Sequence, residues 1–221
     1  MNYLTHKLLN SEELEILRKN LEKESQEWED GKLTAGKHAA KEKNNLQLRR
    51  DSDLSIKFSG LITKKILSNE LIKSFALPKK IHGTIFSKST SGMKYGSHID
   101  NPFMSTGRAD LSFTIFLSSK ENYDGGALLI ESFNSEKKFK LEAGEIIIYP
   151  STYLHSVEEV ITGERLVFIG WIESYVKSIE EREYLFDLDA AARSLLAKYG
   201  RSNEVDLIFK SYSNLLRRLG S

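Results

Sequence analysis

The spacing of apolar residues changes twice along the chain and divides it into three parts. In residues 1–78 the apolar positions recur every three or four residues, as Leu14, Leu17 and Leu21 do, which is typical of amphipathic helices. In residues 79–176 apolar and polar residues alternate as in β-strands, and in residues 177–221 the helical spacing returns. The pattern predicts one integrated domain with an N-terminal helical support, a β core and C-terminal helices.

The middle part contains eight strand candidates, separated by turn residues such as Asp124-Gly125-Gly126 and Thr162-Gly163-Glu164. The candidates are Ile81–Ser87, Tyr95–Asp100, Leu111–Ser118, Ala127–Ile130, Lys137–Leu141, Glu145–Tyr149, Ser156–Val160 and Arg165–Ile172. Short strands with a turn about every ten residues are typical of a double-sheet jelly roll. We therefore predict an α+β fold with a mainly β core, in which a jelly roll is flanked by helices.

The N-terminal part contains three helix candidates and one stretch without periodicity. Asn10 can cap the first helix, because Glu13 follows it in capping-box position. Two further helices are indicated by Leu54, Phe58, Leu61 and Ile62, and by Leu71, Ile72 and Phe75. Between the first and second helices, Gly31–Leu48 is polar and aperiodic. It is either a solvated loop or a cover over an active site, since long structureless loops are uncommon without a function.

Composition and charge narrow the class of protein. The chain has 221 residues, a formal net charge of +1 from 32 basic and 31 acidic residues, and no cysteine. This balance gives no strong signal for nucleic acid or membrane surfaces, and the absence of cysteine excludes disulfides and thiolate metal sites. The N-terminus lacks signal-peptide features, and no apolar run approaches the roughly 20 residues of a membrane span. We expect a cytoplasmic protein, and the sequence leaves homo-oligomerisation open.

Three residues of the β core are candidates for a metal site. His98 and Asp100 are two residues apart on a predicted strand, so both side chains point to the same face. Asn101-Pro102 then turns the chain away, and His155 begins a later strand after a turn. Two histidines and one carboxylate form the facial triad of non-haem iron oxygenases. Of the other histidines, His6 and His38 are expected on the surface, and His82 is expected to be structural.

Arg165 is the first residue of an apolar strand candidate and is the candidate for binding an anion. A buried guanidinium without an anionic partner is costly, so this side chain needs a carboxylate. The partner is either a neighbouring Asp or Glu or the carboxylate of a bound molecule, which the planar guanidinium can hold with two parallel hydrogen bonds.

A set of short motifs extends over most of the chain and becomes sparse after about Gly200. It comprises Thr34-Ala35-Gly36, Asn45-Leu46-Gln47-Leu48, Tyr95-Gly96-Ser97-His98-Ile99-Asp100-Asn101, Arg108-Ala109-Asp110-Leu111-Ser112, Tyr123-Asp124-Gly125-Gly126, Tyr149-Pro150, His155 and Leu185-Phe186-Asp187-Leu188-Asp189. Together with Arg165, this set resembles the iron(II)/2-oxoglutarate-dependent dioxygenases of the prolyl-4-hydroxylase-like branch. The likeness is greater to the bacterial PKHD-type hydroxylases.

The resemblance implies a double-stranded β-helix that binds Fe²⁺ through His98, Asp100 and His155 and the distal carboxylate of 2-oxoglutarate through Arg165. It implies consumption of O₂, release of succinate and CO₂, L-ascorbate as reductant, and hydroxylation of a prolyl or lysyl side chain, in a small molecule, a peptide or a protein. The expected cosubstrate pocket includes Tyr95 and, if Ser112 points inward, Thr114 and Phe116, although the last two also fit a structural core.

One departure from the family concerns the strand before His98. Relatives often carry an Arg-Tyr pair there, whereas this chain has Lys88-Ser89, which leaves substrate identity open. Two alternatives to a hydroxylase are a non-catalytic sensor of 2-oxoglutarate or iron, and a zinc hydrolase with the same ligands. If Gly31–Leu48 covers the site, we expect the side-chain amides of Asn44, Asn45 and Gln47 to face the substrate.

Overall fold

Two antiparallel sheets form the centre of the structure. The computed structural model describes residues 3–23, 27–34, 39–132 and 135–221. The N-terminal elements are β1 (Leu4–Lys7), α1 (Ser11–Lys23), β2 (Trp28–Asp30), 3-10 turns at Gly31–Thr34 and Ala39–Glu42, β3 (Lys43–Asn44), β4 (Leu46–Leu48), α2 (Asp53–Ser68) and α3 (Glu70–Ala76). The core strands are β5 (Pro78–Thr90), β6 (Lys94–His98), β7 (Phe103–Met104), β8 (Gly107–Arg108), β9 (Leu111–Phe116), β10 (Tyr123–Gly125), β11 (Leu128–Ser132), β12 (Ser135–Phe139), β13 (Glu145–Pro150), β14 (His155–Val157) and β15 (Val160–Ser174). The C-terminal helices are α4 (Ile179–Tyr199) and α5 (Asn203–Leu219).

Apart from the hairpin of β7 and β8, the strands form the two sheets of a jelly roll. The larger sheet has the order β1-β13-β9-β15-β5-β4-β2, with β10 paired to β15, and the smaller sheet has the order β12-β11-β14-β6-β3. Every strand candidate overlaps an observed strand of the described chain. The predicted fold class, an α+β fold around a jelly roll, is confirmed.

The alternation of residues along β9 and β15 assigns the two faces of the larger sheet. Phe113 and Phe168 point outward and pack with the helical residues Leu17, Phe58 and Ile62. The residues that alternate with them along the two strands point inward: Phe116 and Val167 belong to a second apolar cluster, and Thr114 and Arg165 line a cavity. Because alternate side chains of a strand face opposite sides, one sequence supplies both the helix-packing surface and the site.

The N-terminal part differs from the helical prediction. The capping box is present, since Asn10 Oδ1 accepts from Glu13 N at 2.9 Å and Glu13 Oε2 accepts from Asn10 N at 2.8 Å. However, β1, β2 and β4 are strands of the larger sheet and β3 belongs to the smaller one. These strands are two to four residues long, too short for a period to be recognised, and ladder hydrogen bonds with distant strands define them.

The predicted turn at Thr162-Gly163-Glu164 is wrong, because these residues lie inside β15. Gly163 has φ +79° and is paired with Tyr123 of β10. A Cβ at this position would lie 2.0 Å from the Asn122 carbonyl oxygen. The glycine therefore permits close approach of two strands here and does not end one.

The C-terminal helices pack at the end of the larger sheet where β5 begins and β15 ends. Leu185 of α4 is buried with Leu77 and Val176, and Tyr212 and Leu216 of α5 pack against this cluster. Within the described residues, no helix is long and apolar enough to cross a membrane.

Candidate active site

A cavity of about 840 Å³ lies between the two sheets. Its walls include residues of β5, β9 and β15 from the larger sheet and of β6 and β14 from the smaller one. Ile99, Phe103 and Leu154 line it and are largely exposed, so an apolar rim surrounds part of its mouth. The candidate residues identified from the sequence can be located relative to this cavity.

His98, Asp100 and His155 converge on one point of the cavity wall. β6 and β14 are antiparallel neighbours with His98 opposite His155, and Asp100 follows two residues after His98. One ligand atom from each residue lies within 4.8 Å of the other two. His155 Nε2 is 3.7 Å from Asp100 Oδ2. The spacing fits one small metal ion among three donors.

Backbone carbonyls orient both imidazoles. The Nδ1 of His98 lies 2.9 Å from the Gly96 carbonyl oxygen, and the Nδ1 of His155 lies 3.0 Å from that of Tyr153. A carbonyl can only accept, so each Nδ1 carries the hydrogen and each Nε2 presents its lone pair. Burial, with the His155 charge second, lowers the pKa of His98 to about 4, which keeps the ring in its ligating neutral form.

Asp100 is held by two serines that the sequence reasoning did not identify as site residues. Ser112 Oγ donates to Asp100 Oδ2 at 2.5 Å, and Ser151 Oγ is 2.7 Å from Ser112 Oγ. Because the single hydroxyl hydrogen of Ser112 goes to the carboxylate, Ser151 must donate to Ser112. The relay fixes the orientation of Asp100. Ser112 could have been anticipated from its alternation with Thr114, whereas Ser151 follows β13 and gives no pattern.

Arg165 is buried in the same cavity and has no anionic partner among the residues that the structure describes. Its side chain is 3% exposed, and its Nε has no hydrogen-bond acceptor. Burial lowers the pKa of the guanidinium, while Tyr123 and Tyr149 act in the opposite direction. The neighbouring-carboxylate alternative therefore finds no Asp or Glu here. On β5, Ser89 lies opposite Arg165 in the strand register.

The other predicted pocket residues divide between cavity and core. Tyr95 lines the cavity and stacks on His98 with ring centroids 3.7 Å apart, and burial raises the pKa of its phenol to about 12. Thr114 also lines it. Phe116 instead lies in the apolar cluster between the sheets, with its ring centroid 5.7 Å from Arg165 Cζ. Of its two expected roles, this position fits the structural core.

The segment after the second 3-10 turn crosses from the smaller to the larger sheet beside the cavity. Asn45 and Gln47 line the cavity as predicted, and both are buried. Asn44 instead is exposed and donates to the Gly92 carbonyl at 3.3 Å. Lys43 lines the cavity too, although no sequence pattern selects it. Within Gly31–Leu48, residues 35–38 lie outside the described residues. Lys43–Leu48 contains β3 and β4 and is mostly buried, so a solvated loop is the wrong description of that part.

The remaining histidines lie away from the triad where the structure describes them. The ring nitrogens of His82 are each 2.9 Å from a partner, Thr106 Oγ1 and the Arg108 carbonyl, as expected of a structural residue. His6 is half-buried with Nε2 3.0 Å from Asn69 Nδ2, so it is not a free surface residue. His38 lies outside the described residues.

Known proteins are similar in sequence to this chain over its full length. The profile of the 2OG-Fe(II) oxygenase superfamily matches residues 84–173, and that of the PKHD-type hydroxylase C-terminal domain matches residues 180–220. A PKHD-type hydroxylase of Prochlorococcus marinus strain MIT 9215 is 74% identical over 220 residues, and one of strain MIT 9515 is 70% identical over 221 residues, with 100% of each chain covered. The chain belongs to the PKHD-type hydroxylases.

Solved structures of low identity share the fold of this PKHD-type hydroxylase. A Pseudomonas putida prolyl-4-hydroxylase gives a TM-score of 0.58 at 16% identity, with 78% of this chain and 92% of that chain covered. A Trichoplax adhaerens prolyl hydroxylase, in complex with a hypoxia inducible factor peptide fragment, gives 0.57 at 15% identity, with 83% and 86% covered. At these identities the likeness concerns the fold alone.

Family membership makes the protein an oxygenase whose superfamily is named for iron(II) and 2-oxoglutarate. The residues present fit both groups. Two neutral imidazoles and one carboxylate form a donor set suited to ferrous iron, and the unpartnered guanidinium of Arg165 suits the distal carboxylate of a keto acid. Assignment to an oxygenase replaces the zinc-hydrolase alternative.

Proposed function

We propose that this PKHD-type hydroxylase holds Fe²⁺ with His98, Asp100 and His155 and binds 2-oxoglutarate through Arg165 to hydroxylate an unactivated C–H bond, as in a prolyl or lysyl side chain. The observation that carries the proposal is the buried, unpartnered guanidinium in the same cavity as the three converging donors. Either feature alone has a structural explanation, whereas a reaction that needs both a metal and a carboxylate uses the two together.

When bound, the iron and 2-oxoglutarate supply the oxidising chemistry: the substrate C–H and 2-oxoglutarate react with O₂ to give the C–OH product, succinate and CO₂. The protein supplies orientation and a shielded pocket. The carbonyls of Gly96 and Tyr153 keep both histidine Nε2 atoms available, Ser112 fixes the Asp100 carboxylate, and Arg165 orients the cosubstrate. The neighbouring tyrosine rings keep the cavity wall apolar around these charged groups.

Anaerobic reconstitution tests the proposal. Ferrous iron and 2-oxoglutarate added together, but not separately, are expected to give a visible metal-to-ligand charge-transfer band. Admission of O₂ should convert 2-oxoglutarate to equal amounts of succinate and CO₂, and L-ascorbate should sustain repeated turnover. A band without any succinate would favour the sensor alternative, and absence of both band and succinate would contradict the proposal. The cytoplasmic location and the class of substrate remain predictions.

A further inference from the structure

Lys43 is a second buried cation of the cavity without an ionic partner among the described residues. It lies on β3 beside Tyr95 of β6, and its side chain lines the cavity. Its ammonium donates to Thr34 Oγ1 at 3.2 Å and lies 5.2 Å from the centroid of the Tyr95 ring. Burial, with the Arg50 charge second, lowers its pKa to about 8. A hydroxyl and a ring compensate a buried ammonium only in part.

Gln47 provides an unused donor on the same patch of wall. It is 1% exposed, its Oε1 accepts from Thr34 Oγ1 at 2.5 Å, and its Nε2 has no partner. Thr34 therefore links Gln47 to Lys43, and the two side chains line one lateral edge of the cavity. Here the chain passes from β3 in the smaller sheet to β4 in the larger one.

The cofactors of the proposed function do not require the charge of Lys43. Fe²⁺, Asp100, dianionic 2-oxoglutarate and Arg165 together have no net charge. The other carboxylate among the described lining residues is Glu42, which is exposed. The ammonium of Lys43 is thus left for a group that the cofactors do not supply.

We propose that Lys43 and Gln47 form the subsite for the prime substrate and that this substrate carries a carboxylate. The inference rests on the proposed function and names the substrate class for the same site. An ammonium and an amide N–H on one patch offer two donors to two carboxylate oxygens. The positive charge of Lys43 repels the ammonium of a lysyl side chain. The site therefore favours a prolyl side chain, or another uncharged side chain, next to an acidic group.

Two pairs of probes test the carboxylate and its source. N-acetyl-L-proline carries the carboxylate on the ring, as a free imino acid does, and is compared with N-acetyl-L-prolinamide. Acetyl-Pro-Glu-amide carries it on an adjacent side chain, as a peptide does, and is compared with acetyl-Pro-Gln-amide. Binding is measured calorimetrically under anaerobic conditions to the full chain with ferrous iron and stoichiometric 2-oxoglutarate, so that excess cosubstrate does not compete for Lys43.

The wild-type protein is expected to bind the carboxylate member of at least one pair about tenfold or more tightly than its amide. The pair that shows the preference identifies the source. Lys43→Met should abolish the preference and Lys43→Arg should retain it. Lys94→Met is the matched control, because Lys94 is on the adjacent strand, opposite Asn44, and is paired with Glu159 at 3.9 Å outside the cavity. It should also retain the preference.

Equal affinity within both pairs, no binding of any probe at millimolar concentration, or a preference that survives in Lys43→Met would each overturn the inference. Lys43→Met should melt at or above the wild-type temperature, because it removes a poorly compensated buried charge. A lower melting temperature with the preference unchanged would show a purely structural role. The charge-transfer band, recorded on the same samples, separates the two proposals: its absence contradicts the proposed function, whereas a normal band without carboxylate preference contradicts the subsite alone.

Discussion

Two arginines of the jelly roll have opposite surroundings. Arg108, at the end of the β7–β8 hairpin, donates to Asp110 Oδ1 and Oδ2 at 2.7 and 2.8 Å and to the Ser174 carbonyl at 2.8 Å. Arg165 is more deeply buried, yet no hydrogen bond or ion pair joins it to another described residue. Among the described residues, the fold supplies an anion for one guanidinium and none for the other.

Residues that stabilise the fold therefore differ in their contacts from residues that line the cavity. Asp110 also accepts from Ser174 N at 2.8 Å, so the Arg108–Asp110 pair ties the start of β9 to the end of β15. In the cavity, by contrast, polar atoms of Arg165, Gln47 and Trp171 have no partner. Because buried polar groups are nearly always satisfied, we expect water or a ligand to complete the contacts of these cavity atoms.

The largest effect is expected from the metal donors. His98→Ala, Asp100→Ala and His155→Ala should each reduce succinate formation to background, since two donors cannot hold ferrous iron in this site. His6→Ala is the control, because His6 contacts Asn69 of the α2–α3 junction. The assay is 2-oxoglutarate turnover at saturating iron. Full activity in Asp100→Ala would refute the triad.

A smaller effect is expected at the serine that orients Asp100. Ser112→Ala should weaken ferrous-iron affinity about 10- to 100-fold, because an unrestrained carboxylate no longer points at the metal. Chelator competition measures the affinity. Ser118→Ala is the matched control: Ser118 is equally buried on the same segment, but its hydroxyl accepts from Leu166 N at 2.9 Å. Equal loss of iron affinity in both variants would count against a specific role of Ser112.

The sequence predicted the jelly roll and the common direction of His98 and Asp100 because both depend on local patterns. Alternation marks each core strand, and the two-residue spacing of His98 and Asp100 fixes their common direction, although β6 ends at His98 and Asp100 lies just beyond it. The edge strands of the N-terminal part and the roles of Lys43 and Ser112 depend on contacts between residues far apart in sequence. The sequence selected Arg165 as the candidate for binding an anion, but it left open whether a neighbouring carboxylate is the partner, because that depends on which side chains the fold brings near the guanidinium.

The smallest effect concerns the pH dependence of the metal-free protein. Burial lowers the pKa of His98 to about 4, below the 6.5 of an unperturbed imidazole. Between these values the unfolded chain binds the proton that the folded chain excludes, so stability should rise with pH across this window and fall as pH decreases through it. The slope from one such group is at most about 1.4 kcal/mol per pH unit. Thermal unfolding in chelator should show a flatter profile for His98→Asn, and an unchanged profile would contradict the assignment.

The most direct test of the central claim compares Arg165→Met with Arg108→Met in two assays of the same samples: anaerobic titration with 2-oxoglutarate and thermal unfolding. Arg165→Met should weaken 2-oxoglutarate binding roughly 30- to several-thousand-fold without lowering the melting temperature, and Arg165→Lys should recover part of the affinity. Arg108→Met should leave the affinity unchanged but destabilise the fold, on the order of 2–3 kcal/mol, because Asp110 loses its partner. Normal 2-oxoglutarate affinity in Arg165→Met, together with a lower melting temperature, would contradict the account.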